Sequence, residues 1–173
     1  MHDREPMDVR ELGRALDTLE SLGEHELALA ELYATYGRVW SDDGPVWDEL
    51  ASSERSHAES LRRLGSIVSE RPRAFRPARP LTSAAARLQA EYVLSQAREV
   101  ASGAVAHRTA LLMARDIEGA ILETRFDELF ETTDRDYLTI ATAVVADTGT
   151  HYRLLEQRLV RDARGPGPQE VSP

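Results

Sequence analysis

Glu54 and His57 stand where a helix core should have apolar side chains. The run from Val46 to Leu64, VWDELASSERSHAESLRRL, places Trp47, Leu50, Leu61 and Leu64 at the spacing of one helical stripe. Glu54 and His57 fill the two positions in the middle of that stripe. Three residues apart on a helix is ~60° around the axis, so the carboxylate and the imidazole point the same way. Burying such groups costs desolvation free energy unless a partner compensates. A divalent metal is one such partner. A hydrogen-bonded polar pair is another, and a helix turned so that both residues meet solvent is a third reading.

Three more ionisable residues repeat the pattern. Glu26 interrupts the stripe Leu19, Leu22, Ala30, Tyr33, Trp40. Glu118 interrupts Leu111, Ala114, Ile121, Leu122, Leu129, and His151 interrupts Tyr137, Ala141, Val144, Leu155, Leu159. Glu26 precedes His57 by 31 residues and Glu118 precedes His151 by 33, a weak internal repeat. Two helix pairs, each offering an inward carboxylate and an inward imidazole, can hold two metal ions between four helices. Carboxylates are hard anionic ligands able to bridge two cations, and imidazole suits Fe, Mn or Zn. Glu31 and Glu123 lie five positions beyond the stripe glutamates, ~140° around the helix, and face outward. His25 points ~100° from Glu26 and is expected at the surface. His107 is a core or end-of-bundle histidine about three turns from Glu118.

Long helices must position these groups, and the composition supplies them. The 173 residues are 42% hydrophobic but only 6% aromatic, rich in Ala, Leu, Glu and Arg, with no β-branched run outside a helical pattern. An all-α single domain over residues 8–163 follows. Asp8 and Glu11 form a capping box. Whether 8–22 is a separate helix or the start of one reaching Trp40 is open, because Gly23 interrupts the run. A turn at 41–45 leads to a helix over about 45–69. Residues 70–81 hold three prolines and four arginines and read as an extended, solvated crossover. An extra helix follows from Thr82 or Ser83 to about Ser102, then one over about 104–130 and a last one over about 134–163. Residues 1–7 should fray, and 164–173, RGPGPQEVSP, should be a disordered tail.

The composition also excludes chemistries. The formal charge of −9 disfavours nucleic acid. Lysine and cysteine are both absent, which removes Schiff-base, thiolate, disulfide and iron–sulfur chemistry. No apolar run is long enough to span a membrane, and no signal-peptide pattern opens the chain, so a cytoplasmic location is expected.

Glu26 seven residues before Tyr33, then Trp47-Asp-Glu-Leu-Ala, then Glu54-x-x-His57-Ala, resemble the rubrerythrin-like branch of the ferritin-like superfamily. The resemblance spans about residues 20–160. It implies an antiparallel four-helix bundle with a long crossover and an extra helix between the two helix pairs. It implies two non-haem iron ions, with Mn or Zn as substitutes, at Glu26, Glu54, His57, Glu118 and His151. It further implies reaction with O2 or peroxide. The family would carry a sixth ligand, a glutamate three residues before the last histidine; this chain has Thr148 there. Asp147, four residues before His151, is the substitute ligand. The chain lacks the cysteine-ligated iron domain that some rubrerythrins append, so electrons would come from Fe(II) itself or an external donor. Tyr33 and Arg125 occupy matching positions in the two halves, where a donor to a ligand carboxylate would stand. A homodimer is an assembly the resemblance allows.

Three functions compete at this stage: an Fe(II) oxidase or peroxide reductase, a non-catalytic helical scaffold with a degenerate metal site, and a di-iron oxygenase of an organic substrate. The last needs an apolar pocket, for which the small residues Gly103, Ala104, Ala106 and Ala110 leave room.

Overall fold

Asp8 starts the first helix as a reciprocal cap. Its side chain accepts from Glu11 N at 2.8 Å, and the Glu11 carboxylate accepts from Asp8 N at 2.9 Å. The structure, a computed structural model, describes residues 7–79 and 82–164. Of the tail expected at 164–173, residues 165–173 lie outside that range while Arg164 ends the last helix; of the residues expected to fray, 1–6 lie outside it, but Met7 is buried in the apolar core. Helix α1 then runs unbroken over Val9–Val39. Gly23 does not interrupt it, so 8–22 is the first part of one long helix. A β-carbon at Gly23 would stand 3.6 Å from Ala58 O of the neighbouring helix, so packing covers this turn.

Helix α2 spans Gly44–Glu70 with Pro45 in its first turn, where the missing N–H costs nothing. Helix α3 spans Ser83–Ala101, capped by Thr82 through the Ala85 N–H. Helix α4 covers His107–Thr124 and α5 covers Arg135–Arg164. The chain is thus mostly helical, with five helices among the described residues.

Ion pairs fix the directions. Arg71, just after α2, pairs with Asp134 before α5 at 2.8 Å, and Arg158 late in α5 pairs with Asp43 before α2, so α2 and α5 are antiparallel. Arg87, early in α3, pairs with Asp17, early in α1; α3 therefore runs alongside α1 in the same direction. Helix α3 carries the chain back along the length of the molecule before α4 begins.

The crossover is not merely solvated linker. Phe75–Pro77 (β1) pairs antiparallel with Phe130–Thr132 (β2), with Phe75 opposite Thr132. Phe75 is fully buried and packs edge-on against Phe130 and Tyr137, centroids 5.8 and 5.1 Å away. The helix expected to reach residue 130 accordingly stops at Thr124. Arg125 takes a left-handed conformation (φ 48°), which ends α4 and turns the chain toward β2.

The core falls into two apolar clusters. One gathers Leu29, Tyr33, Tyr36, Trp47, Leu50, Val93, Leu111 and Leu155. The other gathers Leu19, Leu22, Leu61, Leu64, Phe75, Phe126, Tyr137 and Val144. On α1, α2 and α5 the two clusters are separated by one interval, at residues 25–26, 54–57 and 148–151.

Candidate metal centre

The interval between the cores holds the charged groups. Glu26 on α1, Glu54 and His57 on α2, Glu118 on α4 and His151 on α5 are all buried, Glu118 completely. Each helix delivers its residue because the flanking turns are anchored in apolar packing above and below. Glu31 and Glu123 face outward, as their helical angle dictates.

Glu54 lies in the middle. Its Oε2 is 2.8 Å from Nδ1 of His57, and its Oε1 is 2.8 Å from Nδ1 of His151. The second approach is off-line for a hydrogen bond, and Glu54 Oε1 and His151 Nδ1 both lack hydrogen-bond partners. Glu118 sits beside His151, with Oε1 3.7 Å from Nδ1. Tyr33 donates its hydroxyl to Glu118 Oε1 at 2.5 Å, while Glu118 Oε2 has no partner. One ligand atom each from Glu54, His57 and His151 lie within 4.8 Å of one another. The two imidazoles stack with centroids 5.4 Å apart.

Asp147 is elsewhere than a bridging ligand would be. Its Oδ2 stands 2.9 Å from Nε2 of His57 and 3.7 Å from Nε2 of His151, on the outer edges of both rings. Ser53 donates to the same oxygen at 2.7 Å. The carboxylate is half exposed. Glu54 thus faces the inner nitrogens of both rings and Asp147 the outer ones. An outer carboxylate of this kind fixes ring orientation and raises the basicity of the inner nitrogen. Thr148, in the place of a second inward glutamate, is buried and donates to Val144 O at 3.0 Å.

Electrostatics follow from burial without bulk water. Burial, the nearby charge of Glu54 and a hydrogen bond to it push the Glu26 carboxyl well above the usual carboxylate range. Burial likewise raises Glu118. Burial works against ionisation of Glu54 too, but the two imidazoles outweigh it and hold this carboxyl down at about 2. Burial opposes a charged His151, yet Glu118 and Glu54 together lift it to about 10. His57 is raised as well, with burial overcome by the Glu54 carboxylate.

Two other residues differ from expectation. Arg125 lies beyond the end of α4, pairs with Glu128 and is half exposed, so it donates to none of these carboxylates. Its position matches Tyr33 only if the helix continues, and it does not. His25 is buried rather than exposed, because α3 covers that face of α1. Burial pushes it down to about 4. No pairing on α1 itself could have shown that. His107 lies at the end of the helices, 2.9 Å from Asp43 and edge-on to Trp40.

The residues fit a metal. Glu118 Oε2 has no hydrogen-bond partner, and Glu54 Oε1 and His151 Nδ1 meet each other at 2.8 Å only off-line, so the donor set suits a cation placed among them. Among the described residues, no helix is long and apolar enough to cross a membrane. Compared with protein-family models, with curated proteins and with solved structures, the chain matches none.

Proposed function

We propose that this protein is a ferritin-like, rubrerythrin-like metal protein whose buried carboxylate–histidine centre takes non-haem iron and couples Fe(II) oxidation to reduction of O2 or peroxide. The observation that supports the reading is the convergence of buried carboxylates and imidazoles, Glu54 and His57 from α2, Glu118 from α4 and His151 from α5, between two apolar clusters. Glu54 would be the ligand shared between the two halves of the centre, since its two oxygens face different imidazoles. Glu26 and His57 flank one side of it, Glu118 and His151 the other. Tyr33 fixes the Glu118 carboxylate, and Asp147 holds the outer edge of the imidazoles. A cation held there would compete with protons for these carboxylates and imidazoles. Iron held by these residues would supply one electron per ion, so two ions and two protons would suffice to reduce peroxide to two waters.

Thr148 favours a second reading, a helical scaffold whose metal site is degenerate. Its hydroxyl is spent on its own helix, so α5 contributes only His151 from the inner face. Anaerobic loading with Fe(II), followed by desalting and metal analysis, separates the two. The first reading expects at least about one iron per chain, lost in Glu54→Ala. Fewer than that, with no difference in the variant, would leave the scaffold reading in its place. The oxygenase reading has no support at Gly103–Ala110, where Ala110 is fully buried in packing.

A further inference from the structure

His25 is only 3% exposed, yet it makes no hydrogen bond among the described residues. Its imidazole lines a cleft of about 280 Å³ between α1, α3 and α4. The walls are mostly aliphatic: Val93 and Ile121 are buried, and Met113 and Ile117 are partly so. Gln89, Tyr92, Asp116 and Ala120 stand at the exposed mouth. Neither ring nitrogen of His25 is sealed in the core, so the imidazole keeps its polar edge toward the cleft, where a ligand group can meet it.

We propose that this cleft is a binding site for a small, neutral, mostly apolar molecule that ends in a hydroxyl group, which hydrogen-bonds to His25. The volume falls just below the ~300–1,000 Å³ of ordinary small-molecule pockets, so the occupant is compact. A neutral imidazole has one donor and one acceptor nitrogen, and a hydroxyl can complement either. No Arg lines the cleft, so an anion gains nothing there. Asp116 at the mouth is engaged by Arg115, which leaves little to attract a cation. The site does not depend on a metal. It adjoins the centre through the chain, because His25 precedes Glu26 and Ile117 precedes Glu118.

Phenol and benzene are matched probes, alike in shape and differing by the hydroxyl. Titrated into the metal-free full-length chain and followed by calorimetry or ligand-observed NMR, phenol binds about tenfold more tightly than benzene. His25→Leu erases that preference while keeping benzene affinity. Ala120→Trp, at an exposed position that leaves the core untouched, closes the mouth and abolishes binding of both. Equal affinities for phenol and benzene in the wild type would overturn the proposal. So would absence of phenol binding up to its solubility limit, or unchanged binding in Ala120→Trp. Should His25→Leu fail to fold, the Ala120→Trp arm and the phenol-to-benzene ratio still settle the matter. Metal loading is a separate assay, so failure here leaves the centre standing, and failure there leaves the cleft standing.

Discussion

Replacing Glu54 by glutamine tests the centre most directly. The substitution keeps size and shape but removes the charge shared by two imidazoles. Glu54 is 1% exposed, and both its oxygens stand 2.8 Å from a ring nitrogen. Breaking one partner out of a buried charged set costs about 3–5 kcal/mol, so the metal-free variant melts well below metal-free wild type. The metal response is the sharper measurement. A ligand that binds only the folded state, present at a hundred times its Kd, adds about 2.7 kcal/mol. For a chain of 173 residues each kcal/mol moves the melting midpoint by about 2–4 °C. Anaerobic Fe(II) therefore raises the wild-type midpoint by about 5–11 °C and leaves Glu54→Gln unmoved. The assay is differential scanning fluorimetry under nitrogen, repeated with Mn(II) and Zn(II). A wild-type midpoint insensitive to all three metals refutes the reasoning. So does an equal shift in the variant, which would place any metal elsewhere.

Thr148→Glu restores the carboxylate that α5 lacks. Because Thr148 is buried, the new acid destabilises the metal-free protein by at least about 2 kcal/mol, and metal both rescues the fold and rises in stoichiometry, read by melting and metal analysis. Tyr33→Phe strips Glu118 Oε1 of its donor; it costs about 1–2 kcal/mol in urea denaturation and weakens metal affinity about 10–100-fold by competition with a chelator. Asp134→Ala removes the cap of α5 and the partner of Arg71, costing about 1 kcal/mol at pH 7. The Tyr137 backbone N–H and Arg71 hold the Asp134 carboxyl below its usual value, so its contribution is present above that value and disappears as pH falls through the lowered one. Urea melts of wild type and Asp134→Ala should therefore converge as the pH is lowered; a gap that stays constant through the acid range contradicts the assignment.

Helical period alone was enough to place Glu26, Glu54, His57, Glu118 and His151 on inward stripes, because burial of one face per helix is a local property of spacing. It also marked Glu31 and Glu123 as outward. The capping box at Asp8 and the breaks around Pro45 and Ser102 are local chemistry and were readable for the same reason. Contacts between distant segments were not. The β1–β2 ribbon pairs two three-residue segments too short to show alternation, and it is this pairing that ends α4 early and removes Arg125 from the centre. His25 looked exposed because a helical wheel for α1 knows nothing of α3, which lies along it. The outer place of Asp147 depends on how α2 and α5 approach each other, since its partners Ser53 and His57 lie on the other helix. The sequence by itself determined the inward stripes that carry the five buried carboxylates and imidazoles of the centre, and what chemistry they hold. Only the tertiary structure decided which of them meet, because the angle and depth at which two helices pack are set by all the side chains between them and by no single stretch of chain.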